Sequence, residues 1–126
     1  MERKNTLISL FTGAGGLDIG LEQAGFVTKV AIEIEHQACE TLKSNKALCT
    51  LTSSETINFI RNALKQPCFK KLNEAEKKLF FERIRKYRHK EKYLQEAEII
   101  KRDIREISSI KIAAKLNNEP VLCIAG

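Results

Sequence analysis

The stretch LISLFTGAGGLDIGLEQAG, residues 7–25, decides how this chain is read. It opens on a short, apolar, partly β-branched run, residues 7–11, which reads as a buried strand stopped by glycine. Leu17, Leu21 and Ala24 then recur at helical spacing, and Gly25 is suited to end that helix. Between strand and helix lies Gly13-Ala14-Gly15-Gly16. Glycine lacks a Cβ, so a ligand can touch the backbone there and the chain can turn with φ above zero. A helix that starts directly after such a loop aims unpaired N–H groups and the positive end of its dipole at whatever is bound. On the loop alone, a tight turn without a ligand stays open as the alternative.

Moving outward, "FVTKVAIEI", residues 26–34, reads as a second strand. "HQACETLKSN" reads as a second helix with Ala38 and Leu42 facing inward. Strand, glycine turn, helix, strand, helix is the opening of an α/β sheet with right-handed crossovers. The rhythm resumes near Glu98: "EIIKRDI" reads as a third strand ending at Asp103. "SSIKIAAKLN" reads as a helix capped by Ser108 or Ser109, and Pro120 introduces a fourth buried strand, "VLCIAG". Cys123 falls inside that strand as a packed residue.

The middle of the chain breaks the pattern. "SSETINFIRNALKQ" is a candidate helix with Ser54 as N-cap and Ile57, Ile60 and Leu64 on one face, and Pro67 follows its end. A longer helix is expected from Asn73, where "NEAE" fits a capping box, with Phe80, Ile84, Tyr87 and Leu94 on one stripe. From Glu55 to Glu98 there are twelve Lys/Arg and seven Asp/Glu, against a whole-chain net charge of +6. Such a basic array is either a solvated helical hairpin or a contact for DNA phosphates.

The chain has 126 residues, 43 % apolar and 30 % charged, an ordinary balance for one domain with a real core. Its apolar runs are too short to span a bilayer, and "MERKNT" is followed by glycines rather than a signal-peptide core. The expectation is therefore no export and an intracellular, cytoplasmic location. Cys39, Cys49, Cys68 and Cys123 are scattered with no C-x-x-C pair, and only His36 and His89 are available to join them. No metal site is expected, and the thiols read as reduced.

The chemistry of the loop can be narrowed. In a dinucleotide fingerprint, G-x-G-x-x-G, Gly13 and Gly15 fit the first two positions but the third falls on Asp18. A carboxylate there repels a pyrophosphate and suits an amine or sulfonium, both of which S-adenosylmethionine carries, so the methyl donor is favoured over NAD. Glu33, 20 residues after Gly13 at the end of the second strand, stands where an acidic residue accepts from ribose hydroxyls. Glu35 competes with it, because strand alternation points both the same way. Asp103 ends the third strand on the same rim, placed to accept from an adenine amino group.

Taken in order, "LISLFTGAGGLDIGLEQAGF", "AIEIEHQACETLKSN", "RDIREI" and "VLCIAG" resemble the start of the DNA (cytosine-5)-methyltransferases. The first segment resembles that family's leading Phe-x-Gly-x-Gly-Gly motif. The second resembles its Glu-x-Asp segment, with Ala38, Thr41 and Asn45 following, and the third its Asp-Ile segment. The resemblance covers residues 5–51 and 97–126, and the basic middle looks like a family-variable insertion. It implies a Rossmann-like doubly wound parallel sheet, cut to about four strands in the order 3-2-1-4, carrying a basic helical hairpin. The expected organisation is one truncated cofactor-binding domain, residues 1–126, with a helical insertion at 52–97.

The resemblance also implies roles. Phe11 would pack on the adenine of S-adenosylmethionine, and Gly13, Ala14, Gly15 and Gly16 would wrap its methionine portion. Glu33 would bind the ribose and Ile34 would lie on the adenine face. Asp103 would bind the adenine amino group with the Ile104 backbone beside it. Thr12 and Asp18 complete the candidate cofactor set. Ser9 stands where many members have Asp, and Glu35 where Asp is usual. In that family a cysteine in a Gly-Pro-Pro-Cys-Gln loop attacks C6 of a flipped cytosine, and that loop follows the strand that here reads "VLCIAG". Gly126 matches its entry glycine, whereas Pro67-Cys68 lies in the insertion with the wrong neighbours, so Cys68 is not the nucleophile and no catalytic residue is assigned. The expected partners are double-stranded DNA in the complete enzyme, and self-association or a complementing chain at the fourth strand. A non-catalytic nucleotide-binding or DNA/protein-interaction module is the competing reading.

Overall fold

A computed structural model describes residues 5–90 and 92–126. The chain forms β1 (Asn5–Leu10), α1 (Gly16–Gln23), β2 (Phe26–Glu33) and α2 (His36–Leu48), then α3 (Ser53–Ala63), α4 (Pro67–Lys70) and α5 (Glu74–Lys90). It returns through β3 (Glu98–Lys101), a short 3-10 turn (Ile104–Glu106), α6 (Ser109–Lys115) and β4 (Val121–Ala125). The four strands are all parallel, in the order β3-β2-β1-β4. This is an α/β, Rossmann-like sheet, as the alternation of short apolar runs and helices requires.

Two compact units are present: Met1–Lys46 with Tyr93–Gly126, and Ala47–Lys92. In the first, Ile8, Val30, Ile32 and Leu116 form a buried cluster, with Leu10, Ile100, Ile104, Ile107, Ile112 and Val121 packed against it. Strand alternation sends Leu7, Ser9 and Ala31 to the other face. On that side, α2 buries Cys39 and Leu42. Ala38 is only half-buried. In the second unit, the Phe69 and Phe80 rings lie 4.7 Å apart and Ile84 is buried.

Several boundaries differ from expectation for local reasons. β1 stops at Leu10, because Phe11 turns into the left-handed region, φ 53°, and swings its ring out to 68 % exposure. The N-cap of α3 is Thr52, not Ser54: its hydroxyl accepts from the Glu55 N–H while the Glu55 carboxylate accepts from the Thr52 N–H. Ile57 is exposed and Thr56 takes the buried place. The box at Asn73 forms as read, with Asn73 and Glu76 bonded reciprocally. Leu94 is not on the α5 stripe, since α5 ends at Lys90 and Leu94 sits in the following turn. The Tyr87 side chain lies outside the described residues. β3 ends at Lys101, two residues early, because Asp103 accepts from the Arg105 N–H and caps the 3-10 turn. Ser108, rather than Ser109, caps α6. Cys123 lies in β4, half-buried, and no disulfide joins the described cysteines. No helix among the described residues is long and apolar enough to cross a membrane.

Candidate functional site

The carboxyl ends of β1, β2 and β3 meet on one rim, where open α/β sheets bind ligands. A cleft of about 440 Å³ opens there, lined by Phe11, Ile32, Glu33, Ile34, Arg102, Asp103, Ile104 and Arg105. Five of the sequence-derived candidates, Phe11, Glu33, Ile34, Asp103 and Ile104, therefore share one cleft. Phe11 and Ile34 present apolar surface to solvent, 68 % and 58 % exposed.

Glu33 ties the cleft to the glycine loop. One carboxylate oxygen accepts from Gly13 N–H at 2.7 Å, and the other from Ile34 and Glu35 N–H at 2.8 and 2.9 Å. These donors, Glu35 first, hold its carboxyl below the usual range against the opposing effect of burial. A carboxylate has about four acceptor sites, so three donors leave about one, on the oxygen that faces Gly13. Glu35 is occupied elsewhere: its carboxylate accepts from Ala38 N–H at 2.8 Å at the start of α2. The two acids that alternation left unranked thus do different things.

Asp103 lines the same cleft. The Arg105 guanidinium engages both its oxygens, the shorter contact being 2.5 Å, and the Arg105 N–H adds a bond at 2.9 Å. The guanidinium first, then that N–H, brings the Asp103 carboxyl down to about 2, so it is an ionised acceptor at any ordinary pH.

The loop itself is shaped by packing. Gly13 and Gly15 have φ of 59° and 85°. Nothing stands within 4 Å of a Cβ built at Gly13, whereas one at Gly15 would lie 2.5 Å from Leu42 Cδ1. Asn45 on α2 donates to the Ala14 carbonyl at 3.0 Å. Thr12 faces inward: its N–H donates to Ile32 O, and its hydroxyl lies within reach of Ser9 O and Oγ. Gly13, Ala14, Gly15 and Gly16 adjoin the cleft rather than line it, with Gly13 joined to it through Glu33. Asp18 departs from the expectation of a carboxylate facing a ligand amine. It is fully buried, and neither oxygen has a hydrogen-bond partner among the described residues. Burial, the largest influence on it, pushes its carboxyl up. Asp18 is the buried residue of α1, whereas its neighbour Leu17 is largely exposed.

Sequence reasoning missed Arg102 and Arg105, the partners of the cleft, and the contacts of Asn45 and Leu42 on the loop. Arg105 carried a usable signal, an opposite charge two residues after an acidic cap. The packing of Leu42 against Gly15 carried none. No group of three His, Cys, Asp or Glu among the described residues is placed to hold a metal ion.

The family model for C-5 cytosine-specific DNA methylases matches residues 5–70, which spans β1 through α4. Among curated proteins, the chain is 58 % identical over 45 residues to Type II methyltransferase M.AquIA of Picosynechococcus sp., covering 36 % of this chain and 17 % of that protein. It is 50 % identical over 44 residues to Type II methyltransferase M.PspPI of Psychrobacter sp., covering 35 % and 11 %. It is 42 % identical over 65 residues to Type II methyltransferase M.Sau96I of Staphylococcus aureus, covering 49 % and 15 %. The matched part is thus 11–17 % of the length of these relatives. No solved structure matches. With the glycine loop, the Glu33 anchor and the match over residues 5–70 in agreement, the chain belongs to the C-5 cytosine-specific DNA methylase family.

Proposed function

We propose that this chain is the cofactor-binding, N-terminal part of a DNA (cytosine-5)-methyltransferase and that its ligand is S-adenosylmethionine. The observation that carries the reading is the meeting of Glu33, Asp103 and the apolar walls Phe11, Ile34 and Ile104 in one cleft beside the glycine loop. These residues fit a nucleoside: the walls take the adenine, Asp103 accepts from its amino group in exchange for one of its Arg105 contacts, and the remaining Glu33 site accepts from a ribose hydroxyl. Gly13 N–H is bonded to Glu33 and Gly15 N–H to the Thr12 carbonyl, so the N–H groups of Ala14 and Gly16, at the start of α1, are the ones that would serve the methionine portion. Thr12 serves by holding the loop, and buried Asp18 makes no contact in this arrangement. The cofactor supplies an electrophilic methyl group; the chain's own task is to bind and orient it.

Within that reading, residues 52–97 are an insertion into a single cofactor-binding domain, and double-stranded DNA is the partner of the complete enzyme. The 126 residues contain no Pro-Cys loop after β4, so the chain alone is expected to transfer no methyl group. Among the described residues β4 pairs with β1 alone and leaves Leu122 and Ile124 exposed, which suits pairing with a second copy or a complementing chain. The competing reading, a non-catalytic nucleotide- or DNA-binding module, draws on the concentration of basic residues in the helical middle.

Calorimetry separates the readings. S-adenosylmethionine should bind the purified chain, and Glu33→Ala should weaken binding about 10- to 100-fold, the worth of a charged hydrogen bond. Asp103→Ala should weaken it comparably. Binding of NAD in place of the methyl donor sinks the proposal, as does methyl-donor binding that ignores both substitutions. Incubation with DNA and labelled cofactor tests the inactivity of the chain, which label transfer refutes.

A further inference from the structure

The turn formed by residues 93–97 is not among the residues lining the cleft, yet it is tied to α1 and α2, the two helices beside the loop. Leu94 is fully buried with φ 60°, a left-handed conformation that a leucine holds only where its surroundings over-determine it. Its N–H donates to one Glu22 oxygen at 2.8 Å, while the other Glu22 oxygen accepts from Thr28 N–H at 3.1 Å. Glu22 is on α1, the helix that the glycine loop opens. Gln23, its neighbour, donates to the Tyr93 hydroxyl at 3.0 Å. Gln95 donates to the Lys46 carbonyl at 3.1 Å, and the Lys46 ammonium donates to Ala97 O at 2.6 Å.

The Leu94 side chain reaches the loop itself. A Cβ built at Gly15 would stand 3.5 Å from Leu94 Cδ1, just beyond the closer Leu42 Cδ1. Leu42 and Leu94 together form the floor under Gly15. A glycine at 94 would adopt the backbone without strain but would remove half of that floor, so the side chain is what the strained conformation secures. The turn is also where the chain re-enters the sheet unit after Lys92, and Lys46 is where it leaves.

We propose that Leu94 is a positioning residue for the glycine loop: it fixes the direction of the loop N–H groups, and so the affinity for the methyl donor, without touching the ligand. This rests on the cofactor reading given above. Close-packed interiors transmit displacement rather than absorb it, and the loop has packed side chains beneath it and the Asn45 bond at Ala14 to one side.

The test uses the full chain and three readouts: calorimetric binding of S-adenosylmethionine, thermal unfolding without ligand, and amide hydrogen exchange at Gly15 and Gly16. Leu94→Ala should weaken binding about tenfold in samples shown to be folded and speed exchange at both glycines, and Leu94→Met should restore both. Should Leu94→Ala fail to fold, Glu22→Gln preserves the shape but leaves one acceptor oxygen for the Leu94 and Thr28 N–H groups, so it loosens the anchor of the turn and should move the same readouts by about threefold. A lowered melting temperature with unchanged affinity and unchanged glycine exchange overturns the proposal and leaves Leu94 a packing residue. If the unsubstituted chain binds no methyl donor, the cofactor reading fails instead. Exchange at Gly15 and Gly16 then decides the positioning role by itself: faster in Leu94→Ala supports it, unchanged overturns it.

Discussion

At the residue scale, the two left-handed glycines of the loop have unequal tolerances. Gly13 has φ 59° with open space where a Cβ would go, whereas Gly15 has φ 85° and the Leu42 methyl at 2.5 Å from that point. Gly13→Ala should therefore cost only the left-handed penalty, about 1 kcal/mol. Gly15→Ala adds overpacking and should cost about 2–4 kcal/mol, a difference that denaturant melts of the two variants resolve. Asp18 makes a second, pH-dependent case. Its folded carboxyl is raised by burial, so its favourable contribution is fully present below the unfolded value and is lost as pH rises through the folded one. Asp18→Asn should stabilise the chain by about 1 kcal/mol at pH 7, with the two curves merging below about pH 4. An equal difference at both pH values would show that burial of charge is not the cause. Asp103 runs the other way: held near 2, it supports the fold above the ordinary carboxylate range and loses that support as pH falls toward 2.

At the element scale, the helices are set by their first turns. Thr52 and Glu55 close a reciprocal box on α3, and Asn73 and Glu76 close another before α5. Thr52→Ala removes the hydroxyl acceptor and should cost about 1 kcal/mol, read as a loss of helical ellipticity on mild heating. The Asn73 box was legible because its four residues are local. The α3 cap was misread by two residues because serines and threonines at 52–54 offer equivalent hydroxyls, and only the geometry of Glu55 chooses among them. The strands were legible from apolar runs, but their ends were not. Phe11 and residues 102–103 leave the sheet because a left-handed turn and an aspartate cap compete with strand pairing.

At the scale of the whole molecule, the sheet unit closes on itself where the helical segment departs. Lys46 and residues 95–97 are cross-bonded at that neck. Replacing residues 48–91 by a short Gly-Ser linker should leave a cooperatively melting α/β unit with cofactor affinity intact. Loss of the cooperative melt would show that the helical segment is needed for folding. The edge strand carries the last expectation. Ile124 is 66 % exposed on β4, and a lysine there guards a strand edge. Ile124→Lys should abolish concentration-dependent association in light scattering, whereas a parent chain that stays monomeric at high concentration counts against pairing through β4.

The sequence by itself determined the alternation of strands and helices, the glycine loop and the family, because those signals are local: an apolar run, a bare backbone, a motif in order. It also nominated Glu33 and Asp103, since strand ends on one rim of a parallel sheet place such residues together. Only the tertiary structure decided which of Glu33 and Glu35 enters the cleft, that Arg105 holds Asp103, that Asp18 is buried, and that Leu94 lies under Gly15. The Glu33 bond to Gly13 and the packing of Leu94 under Gly15 join distant parts of the chain, which no spacing within a segment encodes; the Arg105 contact is local, but it depends on the 3-10 turn that Asp103 caps.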